Sequence, residues 1–134
     1  MKLKDFDFRI WDSNTNKFIE FTISDNIRAI PRKSDDLVLE LWSGFYDSKG
    51  TKIYEGDIVK YDSRTNPLVV VFERNTFYIV DTSIEKHLQV DCGTRLQGIY
   101  DNGSNGYTNQ KLECLQVLGN IHENAELLKE LKNE

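Results

Sequence analysis

Two carboxylates on either side of a glycine come closest in this chain to a catalytic pair. Glu55 and Asp57 bracket Gly56 at the start of a predicted strand, so their side chains could reach the same rim. One carboxyl group that gives a proton beside another that accepts one is the basis of general acid–base catalysis. The same spacing suits a structural role, in which Asp57 bonds its own backbone across the turn while Glu55 faces solvent. We favour the structural role and keep a hydrolase that uses Glu55 and Asp57 as the weaker alternative.

The histidines and cysteines offer little to a metal ion. Protein zinc sites usually take their ligands from close sequence pairs of cysteine or histidine, and this chain has no such pair. A nucleophilic cysteine would need a neighbouring base that lowers the pKa of its thiol. We expect buried thiols and surface histidines instead, with no metal site and no bound cofactor. The four residues concerned are His87, Cys92, Cys114 and His122.

A glycine-rich stretch between residues 93 and 106 lacks a phosphate-binding signature. It has no Gly-Lys-Ser/Thr ending, so it matches neither a P-loop nor a Rossmann turn. Its glycines and asparagines indicate turns around strand-like pieces near residues 88–90 and 96–100. We predict a variable insertion over about residues 81–111 that carries one or two edge strands.

The overall composition is that of an ordinary soluble protein with one core. The chain has 134 residues, of which 39% are hydrophobic and 29% are charged, a size that supports a single domain. No apolar run is long enough to span a membrane, and the first residues lack the apolar run of a signal peptide. We therefore predict a cytoplasmic protein with reduced cysteines.

The charge balance weighs against nucleic acid as a general partner. A net charge of -5 leaves no excess of the positive groups that a phosphate backbone attracts. The one basic cluster in the sequence consists of Arg28, Arg32 and Lys33. Two further basic residues, Lys52 and Lys60, flank the Glu55-Gly56-Asp57 segment. Because small β-barrels often bind single strands in grooves, nucleic-acid association stays an alternative hypothesis.

The hydrophobic pattern predicts a mainly β protein. Phe6, Phe8 and Ile10 alternate with polar residues, which is the period of a half-buried strand and predicts an N-terminal hairpin over about residues 5–24. A barrel core follows over about residues 37–80. Residues 68–72 are continuously apolar, which is typical of a strand covered on both faces.

The end of the chain reads as a closing strand and a short helix, over about residues 112–134 of the single domain 1–134. Leu127, Leu128 and Leu131 form an apolar stripe at helical spacing. A helix this short is marginal alone, so we expect it to pack on the sheet or on a second subunit.

Several aromatic residues lie in or next to the predicted strands on either side of the Glu55-Gly56-Asp57 segment. Interfaces are enriched in such residues, so any that reach the surface would indicate a protein-binding or self-association surface. We name Trp42, Tyr46 and Tyr61 as candidates for it.

Three segments of the chain together match the motifs of one known protein family. Residues 8–12 read Phe-Arg-Ile-Trp-Asp, similar to the F-R-A-W-D opening of that family. Residues 42–59 resemble its Y-T-G-L-x-D-x-x-G-K-x-I-Y-E-G-D-I-V core, with Trp-Ser in place of Tyr-Thr. Residues 117–128 resemble its closing V-I-G-N-I-Y-E-N-P-E-L-L, with Ala125 in place of proline. The family that these three segments resemble is that of the YopX proteins of phages and prophages of Gram-positive bacteria.

The resemblance implies a mostly β fold with a small SH3-like barrel, often assembled as a homo-oligomer. Together with the N-terminal hairpin and the short C-terminal helix that the pattern predicts, the expected fold class is mainly β (α+β). It implies no activity, because the family is functionally uncharacterised, and it supplies no catalytic or cofactor residue. We therefore expect a non-enzymatic accessory protein that binds another protein or itself. The positions that match the family's motifs are Trp11, Asp12, Gly44, Tyr54, Glu55, Gly56, Asp57, Gly119 and Asn120.

Overall fold

The computed structural model describes residues 5–19, 35–62, 64, 66–103 and 109–132. Within them the chain forms nine strands and three short helices. In order these are β1 (Phe8–Asp12), β2 (Lys17–Phe18), β3 (Leu37–Tyr46), β4 (Lys52–Tyr54), β5 (Asp57–Tyr61), β6 (Leu68–Glu73), β7 (Thr76–Val80), α1 (Lys86–Gln89), β8 (Thr94–Arg95), α2 (Leu96–Gly103), β9 (Leu115–Asn120) and α3 (Glu126–Lys132).

The strands form two antiparallel sheets, in the orders β2-β1-β3-β4 and β8-β7-β6-β5-β9. The predicted fold class, a mainly β protein with a small barrel-like core and few short helices, is confirmed. In the first sheet Arg9 lies opposite Glu40 and Ile10 lies opposite Leu39. Because residues directly opposite each other share a face, Arg9 and Glu40 point to one side of the sheet, and Ile10 and Leu39 to the other.

The second sheet is covered on both faces, as the apolar run at residues 68–72 predicts. Leu68 and Val70 of β6 belong to the main buried cluster, together with residues from β5, β7, β9 and α2. Val69 points the other way and packs in a smaller cluster with Ile58 and Val80. This alternation inside an apolar run is what a strand buried on both sides requires.

The C-terminal helix α3 packs on the second sheet. Leu127 and Leu128 lie against the smaller buried cluster of Ile58, Val69 and Val80. The third leucine of the predicted stripe, Leu131, has no described side chain. The sheet therefore supplies the tertiary contact that so short a helix needs.

The glycine-rich insertion is more helical than the sequence suggests. Residues 96–100, predicted as strand-like, belong to α2, and residues near 88–90 lie in and after α1. Leu96 and Ile99 are three positions apart, so a helix places both on one face, where they are 0% and 9% exposed. Only the two residues of β8 pair as an edge strand, against β7.

A buried aspartate joins the turn after β3 to the free edge of β9. Asp47 Oδ1 accepts hydrogen bonds from the amides of Lys49 and Thr51, at 2.9 and 2.8 Å. Its Oδ2 accepts one from the amide of Val117 in β9, at 2.9 Å. The side chain of Asp47 thus takes the place of a neighbouring strand at this edge.

The glycine between Glu55 and Asp57 turns the chain from the first sheet into the second. Gly56 has φ +86°, a conformation that side chains other than glycine rarely adopt. A Cβ at this position would also lie 2.1 Å from Oε2 of Glu40. The turn therefore needs glycine for two separate reasons, backbone conformation and contact with a buried carboxylate.

Gly56→Ala tests this double constraint. We expect it to lower the free energy of unfolding by more than the ~1–2 kcal/mol that backbone strain alone costs, because the new methyl group displaces Glu40. Gly44→Ala is the matched control, since Gly44 has the same φ of +86° and open space around its Cβ. Urea denaturation of both variants gives the comparison, and equal losses would contradict the role of the Glu40 contact.

Candidate functional site

A cluster of charged side chains lies where the two sheets meet. It consists of Arg9 on β1, Glu40 on β3, Asp57 at the start of β5 and His122 in the turn after β9, and we call it the charged cluster. Glu40 and Asp57 are each 2% exposed. Two buried carboxylates in one place would be strongly destabilising without a cation between them.

Arg9 is that cation. Its Nε donates to Oε1 of Glu40 at 2.9 Å, and its Nη2 donates to Oδ1 of Asp57 at 2.9 Å. Nη2 also donates to the backbone oxygen of Glu55 at 3.1 Å. The guanidinium carbon lies 4.8 Å from the ring centroids of both Phe18 and Tyr54, so two aromatic faces shield it from solvent.

The second oxygen of Glu40 holds His122. The ring nitrogen Nε2 lies 3.1 Å from Oε2 of Glu40, within hydrogen-bond distance. The imidazole stacks on the indole of Trp11, with 4.6 Å between centroids and 8° between planes. Trp11 in turn meets the edge of Phe18 at 4.9 Å. His122 is therefore half-buried, not the surface histidine that the sequence suggests.

The turn after β9 positions His122 through one asparagine. Oδ1 of Asn120 accepts hydrogen bonds from the amides of His122 and Glu123, at 3.0 and 2.9 Å. The amide of Ile121 donates to the oxygen of Gly56 at 2.9 Å, which ties this turn to the turn before β5. A Cβ on Gly119 would lie 2.3 Å from Oδ1 of Asn124, so the same turn closes tightly on itself.

The predicted carboxylate pair has two different environments. Oδ2 of Asp57 accepts a hydrogen bond from the amide of Tyr54 at 2.8 Å, so Asp57 does brace the turn. Burial raises the pKa of Asp57 to about 6, against the opposing effect of Arg9. Glu55 is half-buried, and burial together with the charge of Glu40 raises its pKa. Asp57 is bonded into the charged cluster, whereas Glu55 contributes its backbone oxygen to it.

A second, more exposed group extends the cluster through Tyr54. Its hydroxyl donates to Oδ2 of Asp7, and Nζ of Lys52 donates to the same oxygen at 2.9 Å. Burial works to raise the pKa of Asp7, but these hydrogen bonds outweigh it and the pKa is lowered. Burial and the neighbouring Asp7 raise the pKa of the Tyr54 hydroxyl. The tyrosine is held as a neutral donor.

The sequence-predicted residues fall into separate places. Trp11, Tyr54, Gly56, Asp57 and Asn120 converge on the charged cluster. Gly44 lies in the irregular part of β3, and Asp12 accepts a hydrogen bond from the amide of Asn14 in the first hairpin.

The candidate interaction aromatics do not form one patch. Trp42 and Tyr46 meet edge to face at 5.4 Å, and the indole nitrogen of Trp42 donates to the oxygen of Phe45 at 2.9 Å. Nζ of Lys52 lies 4.6 Å from the Trp42 ring centroid. Tyr61 packs against the main buried cluster of the second sheet instead.

The histidines and cysteines considered as metal ligands lie apart from one another. His87 and Cys92 are exposed, and Cys114 is half-buried, where burial raises the pKa of its thiol. The thiols are therefore not the buried pair expected from the sequence. In the described part of the chain no three His, Cys, Asp or Glu side chains come together as ligands for a metal ion. No helix in that part has the length and apolar character needed to cross a membrane.

Of the basic residues in the nucleic-acid hypothesis, the structure describes Lys52 and Lys60, and the two have different environments. Lys52 is engaged by Asp7 and Trp42, while Lys60 is exposed on β5. The predicted basic cluster of Arg28, Arg32 and Lys33 lies outside the described residues.

Sequence reasoning missed three members of the charged cluster: Arg9, Glu40 and His122. Arg9 and His122 do stand inside segments that match the family motif, which was the available signal. Glu40 stands between leucines in an apolar strand and carries no such signal. A lone carboxylate in an apolar strand needs a buried cation, and that requirement could have pointed to Arg9.

The charged cluster can hold the two sheets together, and its bonds leave little for a substrate. Within the described residues no buried side-chain nitrogen or oxygen lacks a hydrogen-bond partner. The clefts of about 650, 380 and 180 Å³ on the described surface are lined by other residues, near Cys114. The perturbed carboxylates and these clefts therefore lie in different places.

Comparison with known proteins identifies relatives of the chain. A family model described as YopX protein matches residues 22–129. The crystal structure of protein EF1440 from Enterococcus faecalis is similar, with a TM-score of 0.52, 22% identity, and coverage of 90% of this chain and 96% of that chain. At this identity the likeness concerns the fold alone. Among curated proteins, no match to the chain was found.

Arg9→Met tests the central cation. We expect it to lower the free energy of unfolding by about 3–5 kcal/mol, because Glu40 and Asp57 remain buried without their partner. Arg74→Met is the matched control, since Arg74 forms an exposed pair with Asp91 at 2.7 Å and its removal should change stability little. Chemical denaturation measures the free energy of unfolding of both variants. If both lose a similar small amount, Arg9 does not stabilise the junction between the two sheets.

Asp57→Asn tests the pH dependence of the cluster. Because the pKa of Asp57 is raised from 3.8 to about 6, the native state keeps a proton that the unfolded state loses. The stabilisation that this bound proton gives to the native state is complete below the pKa that Asp57 has in the unfolded chain. It is lost as pH rises through about 6, the pKa of Asp57 in the native state. The unfolding free energy of the wild type should therefore fall by about 1–3 kcal/mol relative to that of the variant between acidic and neutral pH. Parallel pH profiles would contradict this assignment.

Proposed function

This chain belongs to the YopX family, and on that basis we propose that it is a non-enzymatic accessory protein that associates with a second copy of itself. The contact is made by one face of the first sheet. The protein is encoded by a phage or prophage and acts in the cytoplasm of the bacterial host. The observation that carries the proposal is a partly exposed apolar surface on the first β-sheet.

That surface, which we call the outer face, is formed by Phe6, Phe8, Leu39 and Leu41. Phe8 lies opposite Leu41 in the sheet register, on the side that points away from Arg9 and Glu40. Leu39 is 55% exposed and Phe6 is 41% exposed, whereas Phe8 and Leu41 are half-buried and Ile10, which shares this face, is 3% exposed. The rings of Phe6 and Phe8 are in contact, with 5.6 Å between centroids. Clustered exposed apolar side chains of this kind support an interaction site.

A second copy is the occupant that fits the outer face. An apolar patch can be complementary to itself, so it can meet its own copy across a two-fold axis. Two sheets packed face to face also bury such side chains in the way that β-sandwiches do. An aromatic and aliphatic surface of this type is typical of the centre of homodimer interfaces.

The edges of the two sheets are poorly suited to pairing with a second copy, which favours a sheet face as the contact surface. In the first sheet the edge strands β2 and β4 have two and three residues. In the second sheet β8 has two residues, and the edge of β9 is occupied by Asp47. Short or covered edges resist the addition of another strand.

The charged cluster supports the non-enzymatic half of the proposal. Arg9 forms ion pairs with both Glu40 and Asp57, whose side chains are each 3% exposed. Asp57 already accepts hydrogen bonds on both oxygens, from Arg9 and from the Tyr54 amide. A general base needs to reach the proton that it abstracts, and these oxygens are occupied.

Leu39→Lys tests the outer face. We expect the wild type to elute as a dimer in size-exclusion chromatography with light scattering, and the variant to elute as a monomer, because a buried ammonium opposes association. Leu88→Lys is the matched control, since Leu88 is 41% exposed on α1, away from the outer face, and should leave the dimer intact. Circular dichroism checks that both variants fold. A wild type that stays monomeric at high concentration, or a dimer that survives Leu39→Lys, would contradict the proposal.

A further inference from the structure

A cleft of about 380 Å³ lies between helix α2 and the segment 109–114 that leads into β9. Its volume is within the range of small-molecule sites. One wall is the C-terminal half of α2, where helical spacing places Ile99, Tyr100 and Gly103 on one side. The described residues of the lining all lie outside the charged cluster and the outer face. The cleft is therefore separate from both.

The inner lining of this cleft is apolar. Ile99 and Leu112 are 9% and 2% exposed and belong to the main buried cluster of the second sheet. Tyr100 and Cys114 are half-buried and pack against the same cluster. Burial raises the pKa of the Cys114 thiol, so this side chain acts as a small neutral group. Because all four side chains meet in one cluster, a single small ligand can contact them together.

Backbone hydrogen bonds hold the second wall of the cleft in place. The amide of Leu112 donates to the oxygen of Tyr46 at 2.7 Å, and the amide of Tyr46 donates to the oxygen of Gln110 at 2.9 Å. Farther along, the amide of Asp62 donates to the oxygen of Cys114 at 2.8 Å. A site whose walls are fixed before a ligand arrives binds it at low cost in conformational entropy.

The charged groups at the rim of the cleft pair with each other. Nζ of Lys111 lies 3.7 Å from Oε1 of Glu113, whose side chain is 71% exposed. Beside them, Oδ1 of Asn109 accepts a hydrogen bond from the amide of Lys111 at 3.0 Å. The described rim thus carries no net charge. A charged ligand would lose hydration in this cleft without gaining an unpaired counter-charge.

We propose that this cleft binds a small neutral molecule that carries a planar ring, of the class of indoles and phenols. The ring packs against Ile99 and Leu112 and contacts Tyr100 and Cys114. An aromatic ring buries a large apolar area and pairs favourably with a tyrosine ring. The paired charges of the rim select against ions of either sign. The proposal is independent of the self-association described above.

Amide-resolved NMR titration of the full chain tests this site. The probes are indole, which is neutral, and its charged analogues indole-3-acetate and tryptamine. We expect indole to bind with a Kd in the millimolar range or below and to shift the amides of Ile99, Leu112 and Cys114. Both charged analogues should bind about three- to tenfold more weakly. Absence of these shifts with indole at millimolar concentration, or equal affinity of the three probes, would overturn the proposal.

The two cysteines give an independent readout. Cys114 lines the cleft, whereas Cys92 is exposed and lies outside it. We expect saturating indole to slow the alkylation of Cys114 by iodoacetamide about threefold or more, because the ligand covers the thiol. The rate at Cys92 should not change. Mass spectrometry measures both rates in the same sample, and an unchanged rate at Cys114 would contradict the contact.

Two glycines of α2 provide a disruptive variant and its matched control. A Cβ on Gly103 or on Gly98 would meet no atom within 4 Å, but only Gly103 lines this cleft. Gly103→Leu should fill the cleft and weaken the binding of indole about tenfold or more, while circular dichroism shows a folded protein. Gly98→Leu should leave the affinity unchanged. Unchanged affinity in Gly103→Leu, or an equal loss in Gly98→Leu, would refute binding at this place.

Discussion

The junction between the two sheets depends on one guanidinium group. Arg9 reaches from the first sheet to carboxylates on both sheets, at 2.9 Å to Glu40 and 2.9 Å to Asp57. Burying either carboxylate alone would cost several kcal/mol, so the three side chains are stable only together. The planar fork of arginine suits this task, because it can bond two acceptors at once and still lie between the rings of Phe18 and Tyr54.

The neighbouring turns are built to fit that arrangement. Gly56 leaves room for the carboxylate of Glu40, and Asn120 fixes the turn that brings His122 to the second oxygen of the same carboxylate. Trp11 closes the site by stacking on the imidazole. Trp11, Gly56 and Asn120, which match the family's motifs, thus have a physical explanation in this one contact region.

Much of the fold was predictable from local pattern, and the charged cluster was not. The apolar run at residues 68–72 predicts a strand covered on both faces, and the structure confirms this for residues 68–71, whose side chains alternate between two buried clusters, while Phe72 is 38% exposed. The pairing of Arg9 with Glu40 depends on the register of two strands whose residues are 31 positions apart, which local pattern cannot fix. Helix α2 was missed because glycines at residues 98 and 103 indicate turns, while its two buried residues are too few to show a helical period.

The separation of the cluster's members along the chain has a consequence for how the protein folds. Arg9 and Glu40 are 31 positions apart, and His122 is 82 positions from Glu40. Forming contacts of such long range costs loop-closure entropy before the contacts can stabilise the fold. We therefore expect this protein to be among the slower-folding proteins of high contact order. During synthesis on the ribosome, Glu40 must remain hydrated and unpaired on the His122 side until the turn after β9 has emerged. The native junction is therefore a late event, completed only once the whole segment from Arg9 to His122 is present.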